Sequence, residues 1–146
     1  MIIPAIVRFL RRLIRLWAPT CYRPLIEIRI SSSALLHNLR YFQNFRAGLQ
    51  IAPCLKSNAY GHGLVIVAKC LRHESVPFFV IDSLLEARRL RQEGISTSLL
   101  VIGYTTPANI ITNNLSAVCF TITSLAQLRE ISIRLQRSRV FHLKID

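Results

Sequence analysis

Residues 77–103 read PFFVIDSLLEARRLRQEGISTSLLVIG and contain an apolar run, an amphipathic segment and a second apolar run. The period of the middle segment predicts a helix over 83–93 that stops at Gly94. Its inward residues are predicted to be Leu84, Leu85, Ala87 and Leu90, and its outward residues Glu86, Arg88, Arg89, Arg91, Gln92 and Glu93. Continuous apolar runs joined by such helices are typical of parallel strands covered on both faces. The stretch therefore predicts a β-α-β unit of an α/β protein.

The same alternation extends over the chain from Pro24 onward. LIEIRI (25–30) alternates as a half-buried strand does, and the serines after it predict the start of a helix over 34–46. Further strands are predicted at 51–55, 77–81, 98–103, 117–122 and 140–145, and further helices at 63–74, 107–113 and 124–136.

Two architectures satisfy this alternation, an open doubly wound sheet and a (β/α)8 barrel. No GxGxxG follows the first strand and no Walker motif occurs, so the usual nucleotide sites of open sheets have no support. Five βα repeats occupy roughly 120 residues here, whereas a barrel of eight needs about 250. If the fold is a barrel, the chain supplies about half of it, the N-terminal portion of a (β/α)8 TIM barrel.

Composition excludes several classes of protein. A chain of 146 residues with 51% hydrophobic residues can bury a substantial core as one domain. The four cysteines are widely spaced and form no CxxC pair, so none resembles a zinc site, and three of them lie in apolar runs, which predicts buried free thiols in a reducing compartment. The net charge of +12 raises nucleic acid as a partner, but the arginines are scattered beyond the N-terminal cluster and no nucleic-acid-binding motif accompanies them. We expect no specific nucleic-acid binding.

Residues 1–22 differ in composition and predict a basic amphipathic N-terminal extension before a domain over 23–146. Arg8, Arg11, Arg12 and Arg15 recur at helical spacing on one face, so this helix could make weak contact with an anionic membrane surface. The same arginines argue against a transmembrane span or a secretory signal. A transit-like leader and a poorly ordered extension, including one from a start codon assigned too early, remain alternatives.

LKSNAYGHG (55–63) follows the predicted strand over 51–55. Functional groups of both architectures gather at the carboxyl ends of the strands, and Lys56 has that position. A lysine amine desolvated by strand neighbours is suited to forming a Schiff base with an aldehyde or ketone. Asn58 and the two glycines predict a tight turn, and Tyr60 offers a hydroxyl to an anion. On spacing alone, a solvated lysine in an ordinary loop is the alternative, and His62 is expected to be a loop or packing residue.

LKSNAYGHG resembles the VKANAYGHG pyridoxal-phosphate attachment motif of alanine racemases, with Ser57 in place of a common alanine. IEIRISSSALLHNLRYF is similar to the family's VEIDLDALRHNLR, and VIDSLLEARRLRQEGI to VATLEEALELREAGI. LLVIG is similar to the third barrel strand of the family, and FHLKID to the strand that begins HLKVDTGM. The resemblance covers residues 24–146, and Arg29 departs from it where the family usually has an aspartate.

The resemblance implies a cytoplasmic, homodimeric isomerase that interconverts L- and D-alanine and supplies D-alanine for peptidoglycan. Lys56 would hold pyridoxal 5'-phosphate through a Schiff base and act as one of two bases on the α-proton of the amino acid. Tyr60 would hydrogen-bond the cofactor phosphate. Lys144 matches a family lysine that is carbamylated in many members, with a plain strand-end lysine as the alternative.

The family pattern includes groups that these 146 residues do not contain, among them the arginine facing the pyridine nitrogen and the tyrosine that is the second base. Tyr22, Tyr41, Tyr60 and Tyr104 do not match that tyrosine. We therefore expect a truncated chain that is inactive alone as a racemase. The alternatives are a non-catalytic remnant or partner-binding fragment of the same fold, and a membrane-surface or nucleic-acid-binding protein governed by residues 1–22.

Overall fold

The apolar runs of the sequence form a parallel sheet within residues 25–145, the part of the chain that the computed structural model describes. The strands are β1 (Phe79–Ile81), β2 (Leu99–Val101), β3 (Val118–Ile122) and β4 (Phe141–Leu143), and they lie side by side in chain order. Cys54 adds a single parallel bridge to Val80 on the outer side of β1. The predicted extension over 1–22 lies outside the described residues.

Helices alternate with these strands, as the sequence predicts. They are α1 (Ser32–Asn44), α2 (Leu64–Leu71), α3 (Leu84–Gln92), α4 (Pro107–Thr112) and α5 (Leu125–Arg134). Hydroxyl side chains of Ser31, Ser83, Thr106 and Ser124 accept backbone N–H bonds from the first turns of α1, α3, α4 and α5. Such caps satisfy donors that a helix leaves unpaired at its start. No helix within residues 25–145 has the length and apolar content needed to cross a membrane.

The strand order decides between the two architectures. A doubly wound sheet reverses its strand order at a switch point, whereas every strand of a barrel lies beside its predecessor. The observed order is sequential and all pairs are parallel. The ring of Phe78, next to β1, also meets His142 of β4 with centroids 5.8 Å apart, across the two strands between them. The fold is therefore part of a (β/α)8 barrel with a strongly curved sheet.

The core lies between the sheet and the helices. Alternate strand residues point to the helical side, because successive side chains of a strand face opposite ways. Phe79, Ile81, Leu99, Val101 and Phe120 are buried there together with Ala87, Leu90, Ile110 and Ile131. Gly94, with φ of 76°, ends α3 as predicted, since glycine adopts this left-handed conformation without steric cost.

Two predictions on packing are wrong. LIEIRI (25–30) forms no strand, and Leu25 is 98% exposed, because no strand of the described residues lies beside it to pair with its backbone. Leu85, predicted to face inward, is 75% exposed. Ala87 and Leu90 define the inward face of α3, and at about 100° per residue Leu85 points well away from it.

Helix α1 is fixed to the end of α2 by a two-pronged ion pair. The Arg40 guanidinium donates to both carboxylate oxygens of Glu74 at 2.8 and 3.1 Å. Gln43 donates to the backbone carbonyl of Ser75 at 2.7 Å. The hydrogen bond from Arg40 holds the pKa of Glu74 below its ordinary value.

Arg91 was expected on the outer face of α3, but it links two loops at the amino ends of the strands. Its Nη1 donates to the carbonyls of Ile95 (2.6 Å) and Thr97 (3.0 Å). Its Nη2 donates to the carbonyls of Ser116 (3.1 Å) and Ala117 (3.2 Å). The planar guanidinium suits this role because it presents several donors in fixed directions.

The first prediction concerns Arg91. Replacing it with methionine leaves backbone carbonyls of two loops without their donors, so Arg91→Met should lower the free energy of unfolding by about 2–3 kcal/mol. Denaturant titration checks this. Arg88→Met, at an exposed position of the same helix, is the control and should change it by less than about 0.5 kcal/mol. Equal effects of the two substitutions would contradict the linking role.

The second prediction concerns pH. A carboxyl group with a lowered folded-state pKa stabilises the fold above its unfolded-state pKa, and this contribution is lost as pH falls through the folded-state pKa. Glu74→Gln should therefore lower the melting temperature at pH 7, and its difference from the parent chain should shrink as pH falls below about 4. Thermal melts between these pH values measure it. Glu130→Gln, which removes an exposed ion pair to Arg134, should have little effect. A Glu74 effect that is independent of pH would refute the assignment.

Candidate functional site

Lys56 lies at the carboxyl end of the strand-like segment beside β1, as the sequence predicts. Val80 donates its N–H to Pro53 at 2.9 Å, and Leu55 donates to the carbonyl of Val80 at 2.7 Å. Leu55 is buried with 2% of its surface exposed. The backbone then leaves the sheet at Lys56, which is half-buried. The amine therefore follows directly after a residue anchored in the core.

The segment Lys56–Tyr60 is a helical turn, but most of it has the left-handed conformation. Ser57, Asn58, Ala59 and Tyr60 have φ values between 52° and 55°, and Gly61 continues with 86°. Left-handed backbone costs a residue with a side chain roughly 1–2 kcal/mol. The sequence predicted a tight turn from Asn58 and the glycines, but not that left-handed residues would begin at Ser57. Serine and alanine carry no signal for this conformation, so tertiary contacts have to hold it.

Several of these contacts come from within the loop. Ala59 is buried and donates its N–H to Leu55 at 2.8 Å. His62 lies with Nδ1 2.8 Å from the carbonyl of Ala59, which agrees with its expected role as a loop residue. The side-chain oxygen of Asn58 accepts the N–H of Leu64 at 2.8 Å. The turn is thereby joined to the start of α2.

The left-handed turn returns Tyr60 to the end of the strand. Its hydroxyl lies 3.6 Å from Sγ of Cys54, two residues before Lys56, and its side chain is exposed. The hydrogen bond with the Cys54 thiol, with a smaller contribution from desolvation, raises the pKa of Tyr60 above its ordinary value. The hydroxyl is therefore protonated at neutral pH and can donate to an anion.

Glu86 belongs to the site, although the helical period predicts it on the outer face of α3. Its carboxylate accepts the N–H of Asn58 at 3.0 Å and the N–H of Asp82 at 2.8 Å. It thus connects the Lys56–Tyr60 turn to the end of β1. The spacing Ser83-x-x-Glu86 is a capping-box pattern and could have drawn attention to this side chain.

The loops after β1, β2 and β3 are joined by further hydrogen bonds. Gly103 donates its N–H to the carbonyl of Asp82 at 3.0 Å, and a Cβ at Gly103 would lie 2.4 Å from that oxygen. Gln127, which is buried, donates to the carbonyl of Thr105 at 2.8 Å and accepts the N–H of Thr123 at 2.9 Å. Together with Glu86, these bonds form a connected arc along the carboxyl edge of the sheet.

Lys144 follows β4 at the same edge. Its backbone N–H donates to the carbonyl of Ile122 at 2.9 Å, so it continues the pairing of β3 with β4. Lys56 and Tyr60 therefore lie on one turn. Lys144 lies at the same carboxyl edge, and strands β1, β2 and β3 separate it from Lys56.

The cysteines and the cleft at the other end of the sheet do not change the location of the candidate site. Cys54, Cys70 and Cys119 are free, as predicted, but Cys54 is exposed and the other two are only half-buried. No group of three or more metal-ligating side chains occurs within residues 25–145. A cleft of about 460 Å³, lined in part by Ser98 and Arg139, opens at the amino ends of the strands. Barrel proteins build their active sites at the opposite end, where Lys56 lies.

Comparison with known proteins identifies the family. Residues 30–146 match the family described as alanine racemase, N-terminal domain. Alanine racemase 1 of Caldanaerobacter subterraneus subsp. tengcongensis is 32% identical over 124 residues, which cover 82% of this chain and 32% of that protein. The chain thus spans about a third of the length of the relatives it matches.

Solved structures show the same fold. An alanine racemase of Clostridium difficile 630 in complex with cycloserine superposes with a TM-score of 0.69 at 27% identity, covering 82% of this chain and 35% of that one. A histidine racemase of Leuconostoc mesenteroides subsp. sake superposes with a TM-score of 0.65 at 25% identity, covering 73% of this chain and 28% of that one. Because the family match covers most of the sequence and the fold agrees with it, this chain belongs to the alanine racemase N-terminal domain family.

Proposed function

We propose that this chain provides the cofactor-binding lysine and the first catalytic base of an alanine racemase, an isomerase that interconverts L- and D-alanine. The observation that carries the proposal is the geometry after Leu55. Lys56 leaves the sheet at its carboxyl end, and the left-handed turn returns the Tyr60 hydroxyl to within 3.6 Å of Cys54 at that same end. A residue with an amine and a residue with a phenol thereby lie on one turn at this end of the sheet.

These two groups fit pyridoxal 5'-phosphate, the cofactor used by the alanine racemase family. The cofactor offers an aldehyde, which suits the Lys56 amine, and a phosphate, which suits the protonated hydroxyl of Tyr60. Both side chains have surface available to a ligand. When bound, the cofactor supplies an electron sink for the carbanion left by removal of the α-proton.

The proposed roles of the residues are simple. Lys56 holds the cofactor and, once its amine is free, takes or returns the α-proton at Nζ on one face of the substrate. Tyr60 orients the phosphate, and the hydrogen bonds of Asn58 and Ala59 keep the turn in place. Lys144 is proposed to be carbamylated: its neutral amine would add to carbon dioxide through a new N–C bond and release a proton, which would give an anion able to orient an arginine.

The whole-protein properties belong to the same proposal. The relatives are about three times as long as the region they share with this chain. We assign to this chain only one of the two bases, and we propose that the complete activity requires a homodimer. A cytoplasmic location and a role in supplying D-alanine for peptidoglycan are proposed from the membership of the family alone.

The third prediction tests Lys56. The chain has three lysines, Lys56, Lys69 and Lys144, so a cofactor adduct can be assigned by peptide mapping. After incubation with pyridoxal phosphate and reduction with borohydride, mass spectrometry should find the label mainly on Lys56, because this amine is positioned for it. Lys56→Arg should abolish most of the label, and Lys69→Arg should retain it. Label spread evenly over the lysines would refute the proposal and favour a non-catalytic remnant of the fold.

The fourth prediction tests Tyr60. Tyr60→Phe removes only the hydroxyl, so it should weaken binding of pyridoxal phosphate about tenfold, the effect of losing one charge-assisted hydrogen bond. Binding of pyridoxal, which lacks the phosphate, should not change. Absorbance titration of both compounds measures this, with Tyr104→Phe as the control at another exposed tyrosine. An equal loss for both compounds would contradict a role at the phosphate.

A further inference from the structure

The left-handed turn requires contacts from outside the loop. Four consecutive residues with side chains, Ser57–Tyr60, lie in a conformation that each adopts only at a cost. The bonds within the loop, such as those of Ala59 to Leu55 and of His62 to Ala59, join the turn to its own strand end but not to the neighbouring strand and helix. Among the described hydrogen bonds, the side chain that ties the turn to the next strand and helix is Glu86.

The chemistry of the Glu86 contact is specific for a carboxylate. Its two partners, Asn58 and Asp82, are both backbone N–H donors, and each is bonded to a different oxygen. An ionised carboxyl group accepts at both oxygens, whereas an amide side chain accepts at one atom and donates at the other. Glutamine at this position would satisfy one donor and direct an N–H group at the second.

Helix α5 has a polar side chain at the same position as Glu86 in α3, but there the partners are both a donor and an acceptor. Gln127 is the third residue of α5 and follows the cap Ser124, just as Glu86 is the third residue of α3 and follows Ser83. The side-chain oxygen of Gln127 accepts from the N–H and the hydroxyl of Thr123, and its side-chain nitrogen donates to the carbonyl of Thr105. Each side chain therefore has the chemistry that its partners demand. The two positions are internal controls for each other.

From this geometry we propose that Glu86 is a positioning residue for the cofactor turn. By holding Asn58 against the end of β1, it keeps Lys56 and Tyr60 in the arrangement that reacts with pyridoxal phosphate. The inference has two parts. The structural part, that Glu86 holds the turn, rests on the hydrogen bonds alone. The cofactor part, that the held turn reacts with pyridoxal phosphate, rests on the proposed function. The reaction affected is condensation of the Lys56 amine with the cofactor aldehyde, which forms a C=N bond and releases the carbonyl oxygen as water.

The test uses the 146-residue chain and the isosteric exchanges Glu86→Gln and Gln127→Glu. Hydrogen exchange followed by mass spectrometry reports on the amides of 57–63 without any cofactor. In Glu86→Gln we expect these amides to exchange about tenfold faster, since one donor loses its acceptor. The rate of borohydride-trapped adduct formation on Lys56 should fall about tenfold as well.

Gln127→Glu should destabilise the fold at the Thr105 loop but leave both the exchange of 57–63 and the adduct rate at their parental values. This separates positioning from a general loss of stability. The inference would be overturned if the amides of 57–63 exchanged at the parental rate in Glu86→Gln, or if the two substitutions changed that rate equally. Faster hydrogen exchange in Glu86→Gln with a parental adduct rate would overturn the cofactor part. If the parent chain forms no adduct on Lys56, the proposed function and the cofactor part fail together, while the exchange result still decides whether Glu86 holds the turn.

Discussion

The carboxyl edge of this sheet depends on a backbone conformation that its residues do not favour by themselves. Ser57–Tyr60 have a left-handed backbone conformation, and contacts before and after the turn hold it. Leu55 is buried and paired with Val80 before it, and Asn58 is bonded to Leu64 of the following helix and to Glu86 of α3. The strain and the contacts that offset it lie at the site where the chemistry is proposed, a common location for strained backbone.

Much of the fold could be predicted from the periodicity of apolar residues and from the residues that end helices. The buried strands β1 and β2, the helix between them and its end at Gly94 all follow from local patterns of apolar residues and glycine. Where the prediction depended on a partner element it was less reliable. LIEIRI has the alternation of a strand, yet a strand also needs a neighbour to accept and donate its hydrogen bonds, and residues 25–145 provide none.

The location of the candidate site could also be predicted, but not the contacts that build it. Lys56 was assigned to a strand end because an apolar run stops there. The helical period of α3 predicts Glu86 and Arg91 on its outer face. In the structure, Glu86 accepts and Arg91 donates hydrogen bonds that connect neighbouring loops. Helical period reports the side on which a residue leaves the helix. It does not report that a long polar side chain near a helix end can reach backbone groups of the neighbouring loop.

We propose that the left-handed turn joins Lys56 and Tyr60 into one cofactor site. The most direct measurement is a crystal structure of the chain with pyridoxal phosphate. We expect continuous density from Nζ of Lys56 to the cofactor, with the Tyr60 hydroxyl on the phosphate and Ser57–Tyr60 left-handed. Density on another lysine, or a right-handed turn with Tyr60 directed away from the phosphate, would contradict it.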